Sequence, residues 1–161
     1  GKLEISAERI DLSGLLETWM EDAGLLAEAR HIAIRSEIES GIEIDGDTVL
    51  LQRVAHNLFS NAVRYNRDGG VIDCWLRRAG NGIEWTIANT GDALTEADRE
   101  RIFDRFERGC RANEASEVGM GLGLSLVREI VTAHGGTVTA GVTDAGLTTM
   151  TVRLPSHDRR R

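Results

Sequence analysis

The spacing of apolar residues divides the chain into helical and extended segments. Leu12, Leu15, Leu16, Trp19, Ala23, Leu26 and Ala27 recur at helical spacing out to Arg30, and Asp11 or Ser13 is placed to cap the first turn. His31 to Ile38 alternates and predicts a strand, and Gly41 to Asp45 a second short one. Asp47 or Thr48 caps a second helix running through Val49, Leu50, Val54, Leu58 and Ala62 to Tyr65, and Arg67-Asp68-Gly69-Gly70 is a turn. Val71 to Arg78 and Ile83 to Asn89 read as strands joined by the hairpin Ala79-Gly80-Asn81-Gly82. Residues 90–120 are polar, glycine-dotted and weakly periodic. A third helix follows, with Leu124, Val127, Ile130 and Val131 on one face and Gly135-Gly136 as its stop. Thr137 to Thr143 and Leu147 to Leu154 form a closing hairpin around Asp144-Ala145-Gly146, ended by Pro155. The pattern predicts an α+β two-layer sandwich: a mixed, mostly antiparallel sheet of about five strands with three helices on one face. A stretch of about 30 irregular residues is unusual in a compact domain, and such segments commonly serve as functional lids.

Composition narrows the class. The 161 residues suffice for one domain, and 41% hydrophobic with 28% charged residues is an ordinary globular mix that excludes disorder. Lys2 is the only lysine, and the net charge of −7 argues against a nucleic-acid binder. The terminal Arg159-Arg160-Arg161 reads as a solvated tail or linker scar. No apolar run approaches the roughly 18 residues that span a bilayer, so direct membrane insertion is not expected. Cys74 and Cys110 lie far apart without CxxC spacing and read as free thiols in a reducing compartment. The start at Gly1 without methionine suggests a fragment.

Three segments carry candidate chemistry. Asn57, Asn61 and Tyr65 are spaced i, i+4, i+8 on the second helix, with Arg64 beside them, next to the apolar stripe of Val54, Leu58 and Ala62. Asparagine is a poor helix former, so two of them one turn apart ask for a reason. A solvated edge is one; a row of amides and a cation facing a ligand is the other, since an amide oxygen can ligate Mg²⁺ and arginine can hold phosphate. Gly119-Met120-Gly121-Leu122-Gly123-Leu124 leads into the third helix, where glycines allow close approach and free N–H groups suit phosphate. It is neither a dinucleotide-binding fingerprint nor a Walker A loop, and plain turns also use such glycines. Ile83, Trp85, Ile87 and Asn89 share a strand face, so an apolar wall ends in an amide followed by Thr90-Gly91, a shape that suits a planar base; a simple turn asparagine fits as well.

Taken together, the segments resemble the catalytic ATP-binding domain of two-component sensor histidine kinases, of the superfamily shared with gyrase B, the ninety-kilodalton heat-shock chaperone and MutL proteins. HNLFSNAVRYN (His56 to Asn66) resembles the N box, NTGDAL (Asn89 to Leu94) the first glycine box, IFDRFERG (Ile102 to Gly109) the phenylalanine box, and GMGLGLSLVREIVTAHGG (Gly119 to Gly136) the second glycine box. The resemblance covers nearly the whole chain and implies a Bergerat-type fold with a mobile ATP lid at about 95–120, within a single domain over 1–161. It implies that Asn61 coordinates Mg²⁺, that Asn57 supports the metal shell or the nucleotide, and that Arg64 stands near the phosphates. Tyr65 would pack beside the nucleotide, and Asn89 and Gly91 would form the adenine end, with Asn89 accepting from the adenine amine. Gly119, Gly121, Leu122, Gly123 and Leu124 would cradle the phosphates. Arg108 would approach the γ-phosphate, Phe103 and Phe106 would anchor the lid, and Thr148 would sit beside adenine.

The sequence departs from the family pattern at several positions. Asn89 replaces an aspartate and Ala93 a second glycine, so adenine affinity is expected to fall. Glu107 replaces an aromatic residue and Leu147 a late glycine. Asn57 stands where the superfamily's ATPases carry a glutamate base, and an amide has no useful basicity, which favours phosphoryl transfer over hydrolysis. The resemblance implies ATP and Mg²⁺ as ligands and, as acceptor, a histidine on a separate dimerisation domain, with a response regulator downstream. His31, His56, His134 and His157 lack the acceptor context. A monomeric, cytoplasmic fragment is expected. An anti-sigma-type serine kinase, a clamp ATPase and a degenerate nucleotide-binding interaction module are the competing readings.

Overall fold

A computed structural model describes residues 3–92, 94–104 and 120–156, and of residues 120–122 only the backbone. Seven strands and four helices follow in the order β1 (Glu8–Asp11), α1 (Leu12–Glu28), β2 (Ala33–Ile38), β3 (Glu43–Gly46), α2 (Thr48–Arg64), β4 (Val71–Ala79), β5 (Gly82–Asn89), α3 (Glu96–Arg101), α4 (Met120–Ala133), β6 (Thr137–Val142) and β7 (Thr148–Pro155). The main sheet has the order β2-β4-β5-β7-β6. Only β2 and β4 run parallel; the other pairs are antiparallel. The expected mixed sheet under a helical layer is therefore the observed one.

The period-2 pattern of the strands decides which face is covered. Ile72, Cys74 and Leu76 of β4 and Ile83, Trp85 and Ile87 of β5 are buried, as are Leu16, Trp19, Leu51, Val54, Leu58, Val127 and Ile130 of the three long helices. All belong to one core, in which the rings of Trp19 and Trp85 lie 6.3 Å apart. Cys74 is part of it, and burial pushes its thiol up to about 12, so it is an inert core residue. Cys110 lies outside the described residues.

The helix starts follow their caps. The carboxylate of Asp11, rather than Ser13, accepts from the Gly14 N–H, and that of Asp47, rather than Thr48, from the Leu50 N–H. Ser13 is used differently: its hydroxyl donates to the Glu39 carbonyl at 2.6 Å. His31 adopts a left-handed conformation that closes α1, so β2 begins at Ala33.

Two elements are additional to the sequence reading. β1 pairs with β3 in a separate two-stranded sheet, with Ile10 opposite Ile44. Within the stretch read as irregular, Glu96–Arg101 is a short helix whose first turn is capped by Thr95. Leu94, Ile102 and Phe103 around it are buried, so its flanks are packed onto the core.

Candidate functional site

The expected site residues meet at one corner of the sandwich, where the C-terminal half of α2, the end of β5, the start of β7 and the first turn of α4 converge. Asn61 is buried in the α2 face, Arg64 is exposed in its last turn, and Tyr65 closes the helix with its N–H donating to the Asn61 carbonyl. Asn57 reaches across to α4, with Nδ2 donating to the Gly123 carbonyl at 3.2 Å. The row of amides is thus neither a solvated edge nor a row of free groups.

Register brings together two of the residues expected at the adenine end. Asn89 pairs with Thr148 across β5 and β7, so both side chains stand on the same face. Asn89 is buried and its Nδ2 donates to the Thr90 carbonyl at 2.7 Å. The Thr148 hydroxyl is buried and has no hydrogen-bond partner among the described residues. A buried hydroxyl without a partner costs free energy unless a ligand or water supplies one, so this atom fits a polar ligand at this corner. Gly91 completes the rim at φ +128°, and a Cβ there would lie 2.2 Å from the Tyr65 carbonyl oxygen. Only glycine allows that approach of β5 to the end of α2.

At the phosphate end the structure changes the detail. The helix begins at Met120, so Gly121, Leu122 and Gly123 lie inside the first turn of α4 rather than in a loop before it. Their helical conformation costs about 1 kcal/mol per glycine relative to alanine. The apolar stripe of Leu124, Val127, Ile130 and Val131, buried below, holds the helix in place. First-turn N–H groups have no intrahelical acceptor and suit an anion. Gly119, Ala93, Phe106, Glu107 and Arg108 lie outside the described residues. Phe103 is buried, and Asp104 beside it meets Arg128 of α4 at 2.8 Å, fastening the α3 segment to α4.

Four residues that shape the corner have no site role in the sequence reading. Thr90 donates its hydroxyl to Asn66 Oδ1 and accepts from the Val71 N–H at 2.9 Å, while Asn66 Nδ2 donates to the Val71 carbonyl at 3.0 Å. Gly70 must be bare, since a Cβ would lie 2.1 Å from the Thr90 hydroxyl. Arg30, counted with the first helix, instead caps the end of α2: its guanidinium donates to the carbonyls of Val63 at 2.5 Å and Asn66 at 2.9 Å and pairs with Asp68 at 2.8 Å. The cluster Arg67-Asp68-Gly69-Gly70 is the signal for this turn, and nothing local marks Arg30.

Of the remaining histidines, His157 lies outside the described residues. His134 is buried, its Nδ1 donating to the Ile130 carbonyl and its Nε2 accepting from the Asp47 N–H at 3.0 Å. His56 is exposed, beside a cleft between α1 and α2. Among the described residues no group of three His, Cys, Asp or Glu side chains could hold a metal ion.

A two-layer sandwich with an amide-lined corner, a glycine-bearing helix start and an orphaned hydroxyl at the strand ends is the arrangement expected of an ATP-binding domain of the Bergerat type. Residues 46–158 match the family described as "Histidine kinase-, DNA gyrase B-, and HSP90-like ATPase", and the chain belongs to it. It is 36% identical over 154 residues to the sensor protein CzcS of Cupriavidus metallidurans, covering 96% of this chain and 30% of that protein. It is 30% identical over 157 residues to the sensor-like histidine kinase SenX3 of Mycobacterium tuberculosis, covering 94% of this chain and 38% of that one. The chain therefore spans about a third of the length of these relatives. Full-length ShkA, solved in complex with AMPPNP, superimposes with a TM-score of 0.82 at 25% identity, over 98% of this chain and 32% of that one.

Proposed function

We propose that this domain binds Mg-ATP and passes the γ-phosphate to a histidine on a separate dimerisation domain, as the catalytic part of a two-component sensor kinase. The observation that carries the reading is the buried, unpartnered Thr148 hydroxyl opposite Asn89, at the corner where α2, β5, β7 and α4 converge. The relatives' names as sensor kinases and the AMPPNP in ShkA support the same reading.

Bound Mg-ATP would supply an electrophilic γ-phosphorus, with ADP as the leaving group. The chain's residues divide the remaining work. Asn89, Gly91 and Thr148 hold the base, and Tyr65 packs beside the nucleotide. The Asn61 amide oxygen is the metal ligand; the phosphates and water would complete the shell, as Mg²⁺ prefers. Arg64 and Arg108 offset the phosphate charge, and the N–H groups around Gly121 to Leu124 cradle it, with Gly119 just before them. Residues of about 95–120 act as the lid, its root fixed by Phe103 and the Asp104–Arg128 pair. Asn57 is held by Gly123 and is not a base, so water is not activated and the acceptor histidine is the nucleophile.

On this reading 1–161 is one monomeric domain, working on the cytoplasmic side with a response regulator further downstream. Among the described residues no helix is long and apolar enough to cross a membrane. The test is phosphotransfer from labelled ATP to the parent's dimerisation domain added in trans. Label on the acceptor histidine, absent with Asn61→Ala, supports the proposal; label on serine favours the anti-sigma-type reading, and none with bound nucleotide favours an interaction module.

A further inference from the structure

We infer that the cleft between α1 and α2 is a docking groove for a basic amphipathic helix. Its lining residues are not those of the proposed nucleotide site, so either reading can fail alone. Among the described residues the exposed large apolar side chains are Leu25, Leu26, Val49 and Val142, and both leucines line this cleft. Leu25 is 74% exposed and Leu26 48%. Val49, 72% exposed, lies two turns before His56 on the same stripe of α2 and extends that wall. Single exposed leucines are ordinary, whereas a cluster of apolar side chains around a concavity marks an interaction site.

The order of side-chain sizes along α1 makes the cleft. Its core stripe is Leu12, Leu16, Trp19, Ala23 and Ala27, so in the C-terminal half the alanines face the core and the leucines stand outside it. Burial within this chain alone would favour the reverse, with leucine inward and alanine outward. Ala23 leaves a gap beside α2, floored by the buried rings of Trp19 and Phe59. The cleft holds about 280 Å³. That is below the roughly 300–1,000 Å³ of pockets that enclose a drug-sized ligand, and it suits the apolar knobs of a docked helix.

Charge selects the kind of helix. The ionisable residues of α1 are Glu17, Glu21, Asp22 and Glu28, all acidic and all exposed, and Asp22 lines the cleft itself. Arg30, just beyond the helix, is turned onto the carbonyls at the end of α2 and onto Asp68, so it does not offset them. The α2 wall adds Arg53 and His56 at the surface, which leaves the rim acidic in sum. The net charge of −7 opposes a second copy of the chain and an anionic bilayer alike. A helix with leucine-type side chains on one face and lysine or arginine beside them meets both the apolar floor and the acidic rim.

Calorimetry of the chain with a peptide of leucine and lysine tests the inference. The peptide has about 14 residues, roughly four helical turns, with its leucines at i, i+3, i+4 and i+7. One control peptide has the same composition in permuted order, and another has glutamate in place of lysine. The amphipathic lysine peptide is expected to bind at roughly 10–100 μM, and both controls at least about tenfold more weakly. Leu26→Glu and Asp22→Lys, both at exposed positions and checked for folding by circular dichroism, should each weaken binding about tenfold. Val142→Glu, 41% exposed at the end of β6, should leave it unchanged. Absence of binding at about 1 mM peptide overturns the inference, as does equal binding of either control peptide or binding unchanged in a folded Leu26→Glu variant. A dimer in sedimentation that Leu26→Glu dissolves overturns it too, because a second copy would then be the occupant.

Discussion

The side-chain amide of Asn57 donates to the main-chain carbonyl of Gly123 at 3.2 Å, joining the polar face of α2 to the first turn of α4. The bond sets the distance between the proposed metal ligand, one turn further along α2, and the proposed phosphate cradle. Asn57→Ala is expected to lower stability by about 1 kcal/mol. For a domain of this size that shifts the thermal midpoint by about 2–4 °C. Affinity for an ATP analogue should fall about fivefold, the same energy expressed in binding. A melting curve and a titration check both.

Arg30 holds the end of α2 through the carbonyls of Val63 and Asn66 and through Asp68. Hydrogen bonds to a charged donor contribute about 1.5–3 kcal/mol, and removing this one strands carbonyls at the helix end. Arg30→Ala should lose stability in that range in urea unfolding. Arg30→Lys should recover only part of it, because an ammonium cannot present the same fork.

Thr90 joins β5 to the turn after α2 through Asn66 and Val71. Thr90→Val keeps the branched shape and removes the hydroxyl, leaving the Val71 N–H without its acceptor and Asn66 Oδ1 without one of its two donors. The expected loss is about 1–3 kcal/mol. Urea unfolding with an unchanged slope would assign the loss to the folded state.

Glu84 lies on the open face of the sheet between Arg77 at 2.6 Å and Arg153 at 2.8 Å. The Arg77 guanidinium, by hydrogen bond and charge, and then Arg153 hold its carboxyl below the usual range. A depressed folded value gives stability that is complete above the unfolded value, about 4.3 for glutamate, and lost as pH falls through the folded value. The chain should therefore weaken on acidification below about pH 4. Glu84→Gln should be less stable at neutral pH and show a shallower acid limb in urea titrations across that window.

Much of this was legible in the sequence because the determinants are local. Asp47 caps α2, the asparagine row keeps helical spacing, and the hairpin Ala79-Gly80-Asn81-Gly82 fixes the register of β4 against β5 that sets Asn89 opposite Ile72. What escaped depends on partners remote in sequence or on elements too short for a period to show. β1 has four residues and exists by pairing with β3. α3 has six, although Thr95 followed three residues later by Asp98 is a capping pattern that marks it. The start of α4 was read as a turn from its glycines, whereas burial of the stripe beyond them carries the helix back to Met120. Arg30 looked like part of α1 because its carbonyl partners lie more than thirty residues away.

The central claim is that this corner binds Mg-ATP through Asn61 and the Asn89–Thr148 pair. Its most direct test is a calorimetric titration with a non-hydrolysable ATP analogue, with and without Mg²⁺, on the chain and on Asn61→Ala. The account predicts micromolar to sub-millimolar binding that Mg²⁺ strengthens, with the Mg²⁺ effect lost in Asn61→Ala. No heat of binding at millimolar analogue, or a Mg²⁺ effect unchanged in the variant, would contradict it.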